Sequence, residues 1–307
     1  STLECYDLHS NVTKYLISRF ALEHRYSNTK TMDLWSAWKE SSGLDIPSLM
    51  ASWTEKMGYP LLTVSNIQGG KSFDVKQNWF LADGTGEKET KLWTIPMSVT
   101  SSSSKCTKLE FLKKAQETFA YEWKGDWIKL NAGQPTMCRV LYPESMYPKL
   151  VEACRTKQLG TVDRVGIVND AYNLCKIGKL SPATLLQVLT IAEKETEYAV
   201  WVALDTAIRG VFKALNSSGD KDKTAQFRKW ASSKLIAPIM SSVGWSPKSS
   251  DGHDGVMLRA LVINLAGDLC EGDPKILMEA SKRFNALCVS IANGGDGTWC
   301  SSSMTPI

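Results

Sequence analysis

Histidine is scarce in this chain. Its 307 residues include only His9, His24 and His253. They fall in three separate segments, no H-E-x-x-H occurs, and no two are spaced to hold one metal from one helix face. No catalytic residue and no metal ligand is therefore assigned, and His24 and His253 are expected at the surface. The motifs G-x-S-x-G, G-x-x-x-x-G-K-[ST] and G-x-G-x-x-G after a strand are also missing, which removes the usual nucleophile elbow and phosphate cradles. No apolar run reaches the ~18 residues of a membrane span, and S-T-L-E-C-Y-D-L-H at the start has neither the charged nor the apolar region of a signal peptide. There is no basic block: 36 Lys and Arg stand against 32 Asp and Glu, spread along the chain for a net charge of +4, so nucleic acid is not an expected partner. The eight cysteines show no C-x-x-C spacing. Free, buried thiols in a reducing cytoplasm are predicted in preference to a disulfide framework. The sequons Asn11-Val12-Thr13 and Asn216-Ser217-Ser218 matter only in a secretory protein.

What is present is a change of period. Leu8, Val12, Leu16 and Phe20 form one apolar stripe of a first helix. A second opens near Thr31, with Asp33 in its first turn and Leu34, Trp35 and Trp38 on a buried face. A third opens at Asp45 and Pro47, carries Leu49, Met50, Trp53 and Met57, and is stopped by Gly58. From Tyr59 the period is two. Phe73, Val75 and Trp79, then Trp93, Ile95, Met97 and Val99, then Phe119, Tyr121 and Trp123 alternate with polar residues between turn-rich breaks. About seven short strands predict a small antiparallel sandwich, with Pro96 placing its strand on an edge. After Tyr142 helical spacing returns, with helix starts near 161, 182, 197, 222, 253 and 274. Their expected buried stripes are Val162, Val165, Val168, Tyr172 and Cys175; Trp201, Leu204, Ile208, Val211, Phe212 and Leu215; and Leu277, Ala280, Phe284, Leu287 and Ile291. Short links make this an irregular helical array of the HEAT or armadillo kind. The stretch Asp126 to Tyr142 is the hinge between the two architectures, and Trp127, Ile128 and Leu130 are expected to join them.

Two charged groupings have a structural reading. Asp163, Arg164 and Asp170 suit an ion network on or between helices. Glu193, Glu195 and Glu197, at spacing two, cannot share one helix face and predict a solvated loop or helix entry, without a carboxylate pair for acid-base work.

Several runs together resemble the C-terminal part of the M1 family of zinc aminopeptidases, in its puromycin-sensitive and endoplasmic-reticulum branch. They are Asp33-Leu34-Trp35, Ser42-Gly43-Leu44-Asp45-Ile46, the run from Trp53 to Pro60, Trp127-Ile128-Lys129-Leu130-Asn131-Ala132-Gly133-Gln134, Arg139-Val140 with Tyr142, and Asp163-Arg164 with Asn169-Asp170-Ala171. The chain departs from the pattern at Pro135-Thr136-Met137-Cys138 and at Leu141. The resemblance implies that residues 1–58 are the helical tail of a thermolysin-like catalytic domain, 59–142 a β-sandwich and 143–307 a C-terminal helical domain that continues further in the family. The zinc-binding and exopeptidase motifs of the family lie in domains that precede this region, so the zinc cofactor belongs to the intact enzyme and not to this stretch.

The function implied is that of a non-catalytic part of a metallo-aminopeptidase, inactive alone, which encloses the cleft and governs substrate access. Its expected partners are the catalytic domain of the same protein and peptide substrates; the peptide-binding residues are not assigned. The alternative is a stand-alone scaffold for protein interactions. Apolar residues at Leu34, Trp35, Trp38, Leu49 and Trp53, where a free-standing protein needs polar ones, favour the first.

Overall fold

A computed structural model describes residues 18, 20–22, 24–68, 70–86, 90–104, 106–270 and 273–293. Leu8, Val12 and Leu16 of the first expected helix lie outside these residues, as does His9. The chain divides into two compact units: residues 1–153 with 170–184, and residues 154–169 with 185–307.

The first unit opens with helices α1 (Thr31–Ser42) and α2 (Ile46–Thr54). Helix α1 opens at Thr31, as expected, and the residue that caps it is Lys30, whose backbone N–H donates to Asp33 at 2.8 Å. Gly43 in the left-handed region, φ 71°, closes α1. No residue of α1 is buried. Leu34, Trp35 and Trp38 are only half-buried, which corrects the buried face expected of them. Helix α2 ends at Thr54, four residues before Gly58, and Met57 is 72% exposed.

Seven strands follow: β1 (Tyr59–Gln68), β2 (Ser72–Phe80), β3 (Ile95–Ser101), β4 (Thr107–Leu112), β5 (Gln116–Ala120), β6 (Ile128–Leu130) and β7 (Arg139–Leu141). They form a four-stranded sheet in the order β5-β2-β1-β7 and a three-stranded sheet in the order β4-β3-β6. The alternating residues do face inward: Phe73, Val75, Trp79, Trp93, Ile95, Met97, Val99, Phe119, Tyr121 and Trp123 are all buried. Gln77 shares that inward face, where an apolar residue is the norm. Its side chain donates to the Trp93 and Lys114 carbonyls and accepts from the Trp93 N–H, so a buried amide stitches β2 to the segments flanking β3 and β5.

Two sheet expectations need correction. The sheets are not wholly antiparallel, because β7 pairs with β1 in parallel, Arg139 opposite Leu61. And β3, which carries Pro96, is the central strand of its sheet. The missing N–H is tolerated because β6 pairs only with Val99 to Ser101, and a register shift against β4 falls between Pro96 and Ser98. Pro96 thus sits at a local edge within a central strand.

Beyond the sheets lie α3 (Tyr147–Arg155), α4 (Thr161–Lys176), α5 (Pro182–Leu189), α6 (Tyr198–Ser217), α7 (Lys221–Trp230), α8 (Ala237–Val243), α9 (His253–Leu269) and α10 (Pro274–Ala292). The expected starts at 161, 182, 253 and 274 hold, and those near 197 and 222 fall at Tyr198 and Lys221. Ser181 accepts from the Thr184 N–H, Asp220 from Lys223 and Asp273 from Lys275, each filling a donor that the first turn leaves open. Helices α3 and α8 are not among the expected ones. Both are short, and α8 follows directly on a π-helical turn, Ala231–Ile236.

The buried faces of these helices differ from the expected stripes more than their starts do. In α4 Val162 is 54% exposed, and the buried side chains are Asp163, Arg164, Ile167, Val168, Ala171 and Leu174. In α6 Trp201, Leu204 and Ile208 are fully buried, but Phe212 is half-buried beneath the Arg228 guanidinium, 4.8 Å from the ring centre. In α10 no residue is buried, and Leu277, Phe284 and Ile291 of its stripe are 52%, 62% and 53% exposed.

Candidate functional site

The hinge from Asp126 to Tyr142 belongs to the first unit. Trp127, Ile128 and Leu130 are buried there, and Leu130 donates its N–H to the Tyr142 hydroxyl at 2.9 Å. Asn131 and Gln134 adopt positive φ, 52° and 56°, and Gly133 76°. That conformation costs an ordinary side chain energy, and Asn131 offsets it with local bonds. Its amide donates to the Thr136 carbonyl at 2.8 Å and to the Gln134 side chain at 3.2 Å, and its carbonyl oxygen accepts from the Thr136 N–H at 3.1 Å. Lys129 is buried beside this turn, its ammonium donating to the Leu130 and Asn131 carbonyls. The N-A-G-Q run thus holds a turn together.

Arg139 and Asp170 meet close by. The guanidinium lies 3.2 Å from the carboxylate and 4.9 Å from the Phe80 ring centre, and its Nε donates to the Tyr59 hydroxyl. The second Asp170 oxygen accepts from the Val140 N–H at 3.0 Å, which fixes the edge strand β7 to α4. Burial pushes the Asp170 carboxyl from 3.8 up to about 6, outweighing the Val140 and Arg139 contacts that pull it down. A carboxyl whose folded pKa is raised binds protons more tightly in the native state, so its contribution to stability falls as pH rises from about 3.8 to about 6. Asp170→Asn keeps an acceptor for Val140 without the charge. The variant is expected to gain stability relative to the wild type as pH rises through that window, measured by denaturant unfolding at pH 4 and 7. A difference that does not change with pH contradicts this assignment.

In the second unit Glu197 is exposed at the entry to α6, as expected, but Glu195 of the same acidic run is a buried hub, which corrects the solvated reading of it. Glu195 has a fully buried side chain that accepts from Lys157 Nζ at 2.6 Å, from Arg164 Nε at 2.8 Å and from the N–H groups of Thr196 and Glu197 at 2.8 and 2.9 Å. Its backbone carbonyl accepts from the Trp201 indole at 3.0 Å. Glu193 pairs with Arg155 at 2.7 Å, and Glu197 precedes the first turn of α6. Burial raises the Glu195 pKa, but these donors more than compensate and hold it below the usual carboxylate range. Arg164 also donates to the Leu159 carbonyl at 2.7 Å, so the expected network on α4 is split, Arg164 to Glu195 and Asp170 to Arg139. These contacts use the donors and acceptors in holding the fold, and no arrangement for acid-base chemistry results.

His253 is exposed at the start of α9 and His24 is half-buried against Phe20. Among the described residues no group of three His, Cys, Asp or Glu side chains is placed to hold a metal ion. Cys138, Cys154, Cys175, Cys270 and Cys288 are free thiols. Cys106 is disulfide-bonded, which corrects the expectation of free thiols at that position. Elemental analysis of the purified chain is expected to find well under one zinc per molecule, since a catalytic zinc needs about three converging ligands; stoichiometric zinc contradicts that.

The model of the ERAP1-like C-terminal domain matches residues 127–302, from Trp127 in the hinge through the helical region. The chain belongs to that family. It is 32% identical to the puromycin-sensitive aminopeptidase of Caenorhabditis elegans over 265 residues, 84% of this chain and 28% of that protein. To aminopeptidase M1-A of Oryza sativa subsp. japonica it is 32% identical over 281 residues, 88% of this chain and 30% of that one. To aminopeptidase M1 of Arabidopsis thaliana it is 30% identical over 298 residues, 91% of this chain and 32% of that one. The chain thus spans less than a third of the length of these relatives, and it corresponds to the C-terminal region of the M1 aminopeptidases. Within this ERAP1-like domain both ion clusters and the Asn131 turn fall inside the matched span, so the residues that carry the resemblance from 127 onward are ones that shape the domain. No helix of the described residues is long and apolar enough to cross a membrane.

Proposed function

We propose that this chain is the non-catalytic C-terminal part of a zinc metallo-aminopeptidase, which encloses the catalytic cleft and governs which peptides reach it. The observation that carries the reading is the ERAP1-like match over residues 127–302. On this reading residues 1–58 are the helical tail of a thermolysin-like catalytic domain, 59–142 a β-sandwich and 143–307 an irregular helical solenoid. The partners are that catalytic domain, which carries the zinc, and peptide substrates. Exposed apolar surface supports it. Met32 on α1 is 53% exposed, and Leu277, Met278, Phe284, Val289 and Ile291 on α10 are all more than half exposed, an arrangement that suits helices covered by other parts of one protein.

A wall around a cleft selects by size. With this chain joined to the catalytic part of an M1 aminopeptidase, the ratio of kcat/KM for a dipeptide to that for a long peptide is expected to differ from the ratio for the folded catalytic part alone. Equal ratios would remove the access role while leaving family membership intact.

The cytoplasm is the proposed location, on the strength of the five free thiols; the disulfide at Cys106 counts against it. Fractionation of cells expressing the full-length protein decides between the two.

A further inference from the structure

Among the described strands three sheet edges are guarded and one is open. Strand β7 spans three residues, and its Val140 N–H is taken by Asp170. Strand β6 also spans three, and its Leu130 N–H goes to the Tyr142 hydroxyl. Strand β4 has a register shift against β3 and carries the exposed Glu110. Short length, irregular pairing and charge are the usual guards against a further strand adding to an edge. Strand β5 has a regular register with β2 over all five of its residues and contains no Lys, Arg or Pro. Its one charged residue, Glu117, is engaged, accepting from the Lys113 N–H at 3.2 Å.

The pairing fixes where the backbone groups of β5 point. The Gln77 N–H donates to the Ala115 carbonyl and the Tyr121 N–H to the Lys71 carbonyl, so the odd-numbered residues of β5 turn their N–H and C=O toward β2. Gln116, Thr118 and Ala120 turn theirs the other way, where no strand of the described residues pairs with them. All three are exposed, and Thr118 is anchored by its hydroxyl, which donates to Asp74 at 2.6 Å. This open side borders a groove of about 1030 Å³, lined by Gln116 to Ala120 and by the half-buried Leu109 and Phe111 of β4.

The charges at the two ends of the edge select its partner. An added antiparallel strand sets outward-facing residues against outward-facing ones, so a second β5 pairs even-numbered residues with even-numbered ones. With Thr118 opposite Thr118 on a two-fold axis, Gln116 faces Ala120, and Lys114 faces Glu122 at both ends. Glu122 is exposed, and the Lys114 side chain is 80% exposed with its ammonium 3.9 Å from Glu117, beyond hydrogen-bond reach. The run K-A-Q-E-T-F-A-Y-E from Lys114 to Glu122 is therefore complementary in charge to an antiparallel copy of itself.

We infer that β5 is a homodimerisation edge, along which two copies of this chain join their four-stranded sheets into one of eight strands. Main-chain hydrogen bonds over Gln116 to Ala120 hold the contact, and a Lys114–Glu122 ion pair closes each end. So short an edge buries little beside the roughly 1,200–2,000 Å² of a stable complex, and association is expected at roughly tens of micromolar. Every residue used lies in the first unit, so the inference does not rest on the aminopeptidase reading.

Sedimentation of the 307-residue chain from about 1 to 200 µM tests it, with the mass expected to rise from one chain toward two. Ala120→Pro removes an outward N–H while leaving the bonds to β2 in place, a position where an edge strand tolerates proline, and is expected to weaken association about tenfold or more. Circular dichroism checks its fold. Glu122→Lys, at an exposed position that the fold does not depend on, sets like charges together at both ends and is expected to weaken association about fivefold. Adding Lys114→Glu to that variant restores it. A chain that stays monomeric throughout overturns the inference and leaves the edge to a strand of another protein or of another part of this one. A dimer that a folded Ala120→Pro variant leaves unchanged also overturns it, and places the contact elsewhere, as on the exposed apolar face of α10. So does association that Glu122→Lys does not weaken, or that the charge exchange does not restore.

Discussion

Glu195→Ala is expected to cost about 3 to 5 kcal/mol of stability. The carboxylate is fully buried and gathers Lys157, Arg164 and two backbone N–H groups onto its oxygens. Removing it leaves the buried Arg164 guanidinium facing a void with only the Leu159 carbonyl as acceptor. A buried pair contributes little net stability over an apolar replacement, but removing one partner leaves the desolvated charge of the other uncompensated. Because the folded pKa of Glu195 is depressed, the stability it contributes is present above the ordinary carboxylate range. It is lost as pH falls through the depressed value. Denaturant unfolding at pH 7 measures the loss, and the gap to the wild type is expected to narrow in acid. A loss below ~1 kcal/mol would mean that Arg164 finds another acceptor or water.

Trp201→Ala is the second. The indole is fully buried in α6, donates to the Glu195 carbonyl, and lies on the same stripe as the buried Leu204 and Ile208. Truncating so large a side chain leaves a cavity as well as an orphaned carbonyl, and about 3 to 5 kcal/mol is expected. Phe212, further along the same stripe, gives an internal comparison. It is half-buried, so Phe212→Ala is expected to cost about half as much or less. If the two losses were equal, α6 would be packed along its whole length, against the exposure described above.

These side chains also show what was legible in the sequence. Helix starts are local events, and Ser181 and Asp273, each followed by proline, cap theirs within three residues. Strand faces are equally local, which is why Trp93, Ile95, Met97 and Val99 were placed inward from alternation alone. The phase of α4 was not. Its true inward face contains Asp163 and Arg164, which a hydrophobic pattern assigns to solvent, and the acceptor that makes burial of Arg164 tolerable is Glu195, 31 residues away. Glu195 is buried against the solvated expectation for the same reason. A carboxylate is buried only when donors converge on it from elsewhere, and spacing along the chain does not report convergence.

The apolar stripe of α10 fails in the opposite direction. Leu277, Phe284 and Ile291 recur at helical spacing, yet they are exposed, because periodicity reports which face is apolar and not whether a partner covers it. Pro96 shows a third kind of limit. The rule that proline takes an edge is obeyed residue by residue, through the short reach of β6, and not strand by strand. As for the site, the sequence offered a family resemblance without functional residues, and the geometry of the matched runs is that of turns and ion pairs that hold the domain together.

The function proposed above has this chain complete an aminopeptidase without doing chemistry itself. Release of a chromogenic amine from an aminoacyl anilide tests it directly, measured for the chain alone, for the catalytic part of an M1 aminopeptidase alone, and for the two together. No release is expected from the chain alone, and a higher rate from the pair than from the catalytic part. Release by the chain alone, or a pair no faster than the catalytic part, contradicts it.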